Sequence, residues 1–379
     1  MKLQIITYSR TKNYGGILQA YGLYKYLCDS GYEVEFIDYL PPRCNVENKE
    51  IFTDNTIWMS RIWGKNALTK AIWKIAIYPK IKRSFEPFRR FLDSRANFTQ
   101  RYECLEELKI NVPIGDVYIT GSDQVWNNLL NKTKSIDVPF YLGFIDNVKK
   151  ISYGPSFGGS NLSEKDTYIV KQLLSDYSHI SVRERGGQKL LSEIGIKADL
   201  VADPTILCAP SVWNDFVSVQ KNNNFIFLYL IKFDNSLYEL ARETAKSLDK
   251  KLSIIVLNPK DKYLYKRNKK DVIICPEIEK WLSHINNADL VITDSFHACV
   301  FSIIFHKKFI VSISSRKGMS GRITDLLEKT GLESRILDEL SVTNAVKLYE
   351  SDCDFEESDR ALEEYRLESS KWLENAINN

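Results

Sequence analysis

The sequence predicts an α/β protein of two Rossmann-like lobes, with a helical basic insertion in the N-terminal lobe and a C-terminal strap helix. Three observations lead there. Short apolar, β-rich runs alternate with longer helical patterns almost from end to end, which is how parallel sheets covered by helices on both faces read. The 379 residues exceed one ordinary domain and suffice for two cores. With 44% hydrophobic and 27% charged residues, the chain is globular rather than disordered.

The first series of strands is expected at residues 3–7, 34–38, 117–120, 150–153, 180–183 and 200–202. The second is expected at 225–231, 252–256, 272–275, 290–293 and 309–313. Division near 204–224 gives an N-terminal lobe over 1–204, a C-terminal lobe over 205–345 and a strap over 346–379. Residues 51–98 interrupt the alternation: they are helical, aromatic and basic, with Trp58, Trp63 and Trp73 among lysines and arginines. The tail 359–377 reads as one amphipathic helix with apolar positions Leu362, Tyr365, Leu367, Trp372 and Ile377. Ligands of open α/β sheets bind at the C-terminal ends of strands, so the cleft between the lobes is the expected site.

Bulk properties narrow the function classes. A net charge of +3 leaves electrostatic work to local patches, and no nucleic-acid partner is expected. No apolar run is long enough to span a membrane, and the first residues lack a signal-peptide pattern. Seven scattered cysteines without a Cys-x-x-Cys pair suit reduced thiols in a cytoplasmic protein and argue against zinc. No metal is expected.

Four segments can carry chemistry. In Asp294-Ser295-Phe296-His297, Ser295 is placed to cap a helix whose first turn holds His297, an arrangement suited to an anion. Asn13-Tyr14-Gly15-Gly16 follows the first strand and reads either as a substrate-facing loop or as a tight strand-to-helix turn. Ser122, Asp123, Gln124 and Trp126 follow the strand at 117–120, where Asp123 and Gln124 can meet sugar hydroxyls and Trp126 a sugar ring; a simple helix cap satisfies the same pattern. Arg183 and Arg185 alternate at a strand end, so one can enter the cleft as an anion clamp, although a structural ion pair fits as well. The run 314–322 adds Arg316, Lys317 and Arg322 among small residues, either a phosphate-binding loop or a solvated basic turn.

Together these segments resemble the polysaccharide pyruvyl transferase family. The matching pieces are Asn13-Tyr14-Gly15-Gly16 with Leu18-Gln19, Gly121-Ser122-Asp123-Gln124-Val125-Trp126-Asn127 and Ser156-Phe157-Gly158. They continue with Ser181-Val182-Arg183-Glu184, Asp203-Pro204-Thr205, Asp294-Ser295-Phe296-His297 and Ser320-Gly321-Arg322-Ile323. The resemblance implies a GT-B-like architecture, with the N-terminal lobe as acceptor side and the C-terminal lobe as donor side. It implies transfer of the pyruvyl unit of phosphoenolpyruvate, as co-substrate and without other cofactor, onto two hydroxyls of a saccharide. A cyclic ketal forms and phosphate leaves. By motif position the donor site takes Arg183, His297 and Lys317, with Arg316 as the competing cation and Ser295 at the helix start. His297 is the expected general acid and Asp123 the group that orients or deprotonates the acceptor. Asn13, Tyr14, Gly15, Ser122, Gln124 and Trp126 are expected on the acceptor side. Many acceptors of the family are carried on lipids at the inner membrane face, and the cationic, Trp-bearing segment 61–101 would suit peripheral contact with anionic lipid; a solvated helical insertion whose tryptophans are core accounts for the same pattern more simply. The competing readings are a GT-B glycosyltransferase with a nucleotide-sugar donor and a glycan- or anion-binding protein without turnover.

Overall fold

The computed structural model describes all residues except 58–62, 64, 129–134, 160, 221–223, 314–320 and 338. Among the described residues two parallel sheets follow one another. The first contains β1 (Lys2–Ile6), β2 (Glu33–Tyr39), β3 (Phe98–Tyr102), β4 (Val117–Thr120), β5 (Lys149–Ser152), β6 (Tyr177–Val182) and β7 (Asp199–Leu200). Its order is β3-β2-β1-β4-β5-β6-β7. The second contains β8 (Phe225–Tyr229), β9 (Lys251–Val256), β10 (Val272–Ile274), β11 (Leu290–Thr293) and β12 (Phe309–Val311), in the order β10-β9-β8-β11-β12.

Strands β4 and β11 are buried at every residue, which explains why they read as unbroken apolar runs without alternation. In both sheets the order reverses beside the first strand, between β1 and β4 and between β8 and β11. These are the switch points at which helices diverge to opposite faces and leave a crevice.

Strand β3 is not among the expected strands and begins at residue 98, where the expected helical insertion ends. Its Phe98-Thr99-Gln100-Arg101-Tyr102 pairs only with β2, and its middle is exposed, so it lacks the apolar content that marks inner strands. Before it come the helices Lys49–Ile57, Ala67–Ala76, Tyr78–Arg83 and Glu86–Asp93, the expected insertion. Trp73 is buried with Ile57 and Tyr78, while Trp58 lies outside the described residues.

The lobes share one core. Tyr14, at the start of the helix Tyr14–Asp29, stacks on Trp281 of the C-terminal lobe at 5.1 Å and 6°. Its hydroxyl donates to the Pro276 carbonyl at 2.8 Å. The helix Phe355–Asn378 then crosses both lobes. Ser369 Oγ accepts from the Ala202 amide, Trp372 Nε1 donates to Asp199, and Ser358 Oγ donates to the Thr330 carbonyl. Leu367, expected on its apolar face, is 44% exposed. The buried positions Leu362, Ser369, Leu373 and Ala376 set a phase that turns residue 367 outward.

Candidate active site at the facing switch points

The C-terminal ends of β1, β4, β8 and β11 meet at a cavity of about 540 Å³, within the usual range for small-molecule sites. Two side-chain bonds hold these ends in place. Thr7 Oγ1 donates to the Ser122 carbonyl at 2.7 Å, and the Ile231 amide donates to Asp294 Oδ1 at 2.8 Å.

On the C-terminal side, Ser295 is the N-cap of the helix Phe296–Ile304 and accepts from the Ala298 amide. The amides of Phe296 and His297 have no hydrogen-bond partner among the described residues. They lie at the positive end of the helix, on the cavity wall. The His297 ring fills the space over Gly15: a Cβ there would lie 2.0 Å from Nδ1. His297 Nε2 faces Asp203 Oδ2 at 3.5 Å.

Asp203 is fully enclosed. Its Oδ1 accepts from the Thr205 amide and hydroxyl at 3.0 and 2.7 Å, and its Oδ2 accepts from Arg183 at 2.8 Å. Burial alone would raise its pKa, but His297 and Arg183 outweigh that and hold the carboxyl well below the usual carboxylate range.

Arg183 sits just past the end of β6, with 1% of its side chain exposed. Besides Asp203 it meets Asp123 Oδ1 at 3.0 Å and Glu184 Oε2 at 3.7 Å. Burial opposes its charge, yet the three carboxylates prevail and raise its pKa above the ordinary arginine value. Arg183, expected to clamp the donor, thus meets three carboxylates and is not among the residues that line the cavity. Arg185, expected to diverge from it, does so as the first residue of the next helix and pairs with Glu328 at 2.9 Å.

Asp123 has φ = 73°, the left-handed region that costs a non-glycine residue about 1–3 kcal/mol. The Ser156 amide donating to its carbonyl at 2.8 Å and the Arg183 contact fix this geometry. The carboxylate consequently reaches the cavity wall with Oδ1 held and Oδ2 beside Gly16.

Other acceptor-side residues are placed differently from the sequence-based expectation. Tyr14 is sealed between the lobes by its Trp281 stack and does not line the cavity. Ser122 is buried and donates to the Gly154 carbonyl. Trp126 borders the cavity, but its ring stacks on Tyr141 at 5.2 Å and its Nε1 donates to the Phe140 carbonyl, so no open face remains for a sugar. Gly15 serves packing against His297. Asn13 caps the helix Tyr14–Asp29 by accepting from the Gly16 amide, and it lines the cavity with Gln124. Arg316 and Lys317 lie outside the described residues.

Among the described cations on the wall, Arg10 pairs with Asp38 and Asp93, and Arg43 with Asp137. Two have no carboxylate partner. Arg322 has no hydrogen bond or ion pair among the described residues and lies 5.5 Å over the Phe296 ring. Burial and the nearby Arg183 charge push its pKa down to about 10. Lys12 Nζ meets only Ser84 Oγ at 3.2 Å and Asn258 Oδ1 at 3.0 Å, and burial lowers its pKa. Sequence reasoning gave Lys12 no role, and gave Arg322 only a place in the run 314–322 that reads as a phosphate-binding loop or a solvated basic turn. Arg322 was visible as part of Gly321-Arg322-Ile323, but only the absence of acidic partners in space distinguishes it.

The fold is shared with sugar-nucleotide enzymes of GT-B architecture. A putative UDP-N-acetylglucosamine 2-epimerase from Listeria monocytogenes superposes with a TM-score of 0.51 at 10% identity, covering 97% of this chain and 90% of that one. A UDP-N-acetylglucosamine 2-epimerase from Rickettsia bellii gives 0.51 at 9% identity, covering 100% and 97%. The enzyme from Neisseria meningitidis bound to UDP-GlcNAc gives 0.50 at 11% identity, covering 99% and 100%. At such identities the likeness establishes the fold alone. No curated protein matches the sequence. The family model for polysaccharide pyruvyl transferase matches residues 13–315, which take in β2 to β12, and the chain belongs to this family of transferases.

Proposed function

We propose that the protein moves the pyruvyl group of phosphoenolpyruvate onto two hydroxyls of a sugar in a cell-surface polysaccharide or its precursor. The observation that carries this reading is the pair of cations without an ion-pair partner among the described residues, Arg322 and Lys12, on the same cavity wall as Phe296 and His297, whose amides are open. A small dianion or trianion would balance the charge at both cations. Phosphoenolpyruvate offers a carboxylate and a phosphate for such a divided site.

In the proposed reaction a proton passes to the methylene carbon of phosphoenolpyruvate, and C2 becomes an oxocarbenium-like electrophile. His297 delivers the methylene proton; one acceptor hydroxyl attacks C2 and gives up its proton to Asp123, from which it passes through solvent back to His297. The second hydroxyl then displaces phosphate, and its proton leaves with that group. His297 binds the phosphate and acts as general acid, with Asp203 facing its Nε2. Arg183 is a positioning residue: it ties Asp123 to Asp203. Phosphoenolpyruvate is the co-substrate, and no other cofactor or metal has a part. The setting is the cytoplasm at the inner membrane face, with a lipid-linked acceptor.

Thermal melting tests the donor. Phosphoenolpyruvate should raise the melting temperature of the wild-type protein by a few degrees at saturating concentration, and Arg322→Ala should lose most of that rise. One fold neighbour is described as bound to UDP-GlcNAc, so UDP is the discriminating control. Stabilisation by UDP with none by phosphoenolpyruvate would replace this reading with a nucleotide-sugar transferase.

A further inference from the structure

The helix Ala67–Ala76 of the insertion is anchored on one side and bare on the other. Asn66 and Thr69 form a capping box at its start. Lys70 pairs with Asp54 at 2.6 Å, Lys74 pairs with Glu50, and Trp73 is buried. The opposite face carries Ala67, Leu68, Ala71, Ile72, Ile75 and Ala76, all exposed and spaced at helical period. Leu68 is 69% exposed, Ile72 44% and Ile75 76%. Around this stripe, Lys65, Lys80 and Arg83 are exposed and have no ion-pair partner among the described residues.

We propose that this face docks the protein on an anionic lipid surface. The aliphatic side chains enter the boundary between headgroups and acyl chains, and Lys65, Lys80 and Arg83 meet the anionic headgroups. Trp73 is not the membrane contact, since it faces inward. Charge and size favour lipid over a second copy of the chain. A ten-residue helix is about 15 Å long and about 10 Å across. That is far less than the roughly 800 Å² per partner of a stable protein interface. A lipid surface requires only a shallow apolar wedge with a basic rim. Among the described residues no helix is long and apolar enough to cross a membrane, so the contact is interfacial. The same insertion lends Phe52 and Phe85 to the cavity wall, which brings the docked face and the candidate active site into one structural unit.

This inference goes beyond the pyruvyl-transfer reading and does not rest on it, because its test measures no turnover. The full chain is sedimented with vesicles of phosphatidylcholine alone and with added phosphatidylglycerol. The wild type should sediment only with the anionic vesicles. The triple variant Leu68→Ser, Ile72→Ser, Ile75→Ser and the triple variant Lys65→Glu, Lys80→Glu, Arg83→Glu should each bind about tenfold less or weaker. Both should keep the wild-type melting temperature, since none of these side chains packs in the core. Absence of wild-type binding, or wild-type binding by either variant, overturns the proposal. So does a solution dimer of the wild type that the serine variant turns into monomer, which would give the face to a second copy.

Discussion

Replacing Gly15 by Ala tests the placement of His297 with a single methyl group. The added Cβ would stand 2.0 Å from Nδ1, 2.3 Å from Cγ and 2.6 Å from Cε1, against ordinary contacts that begin at 3.4 Å. The ring must therefore withdraw by about 1.4 Å, the difference between 3.4 and 2.0, or the helix start at Tyr14 must shift by as much. Tyr14 is locked against Trp281 and Pro276, so the imidazole is the group that yields. A displacement near 1 Å at a reacting group costs on the order of 100-fold in rate, while overpacking costs about 1–3 kcal/mol of stability. The assay is phosphate release from phosphoenolpyruvate in the presence of acceptor, with melting curves alongside. Gly186→Ala is the control, since its Cβ would meet nothing within 4 Å. We expect kcat to fall about 100-fold for Gly15→Ala in a protein that still melts cooperatively, and to stay at the wild-type level for Gly186→Ala. Activity of Gly15→Ala within about threefold of wild type would refute the argument that this glycine holds the histidine in place.

Two further perturbations probe the charges. Asp203→Asn removes one of three acids around a buried guanidinium and should cost about 3 kcal/mol at neutral pH. The Asp203 carboxyl titrates below its ordinary 3.8 in the folded protein, so its contribution is present above about pH 4 and is lost as the pH falls towards the folded value. The gap in melting temperature between wild type and Asp203→Asn should accordingly narrow below about pH 4; a constant gap would show that the carboxylate is not held by these charges. Lys12→Met keeps the stem but removes a buried ammonium that lacks an acid. Its melting temperature should match or exceed that of the wild type, while the KM for phosphoenolpyruvate rises about tenfold. An unchanged KM would remove Lys12 from the donor site.

The sheets were legible in the sequence because their inner strands are buried on both faces. Runs such as Leu290-Val291-Ile292-Thr293 need no tertiary information to be read as strands. The edge strand β3 was not legible, because its Thr99, Gln100 and Arg101 carry no apolar signal. At the site, local signals served best where the cause is local: Ser295 caps its own helix two residues before His297. The carboxylate partners of Arg183 were not legible, because Asp203 and Asp123 lie 20 and 60 residues away along the chain. The packing of Tyr14 was hidden for the same reason, since its stacking partner belongs to the other lobe. Arg322 is set apart by its place on the cavity wall without an ion-pair partner among the described residues, a property that exists in three dimensions and not along the chain.

The merged core between the lobes bears on how substrates are captured. In a hinged two-lobe enzyme, part of the intrinsic affinity is consumed in populating the closed form. Here the Tyr14–Trp281 stack joins the halves, and separating them would expose large aromatic surfaces to water. Opening the cleft by parting the lobes therefore carries that cost. Donor and acceptor must thread through the standing mouth of the cavity, so exchange of ligands follows the width of that mouth rather than the frequency of a domain motion.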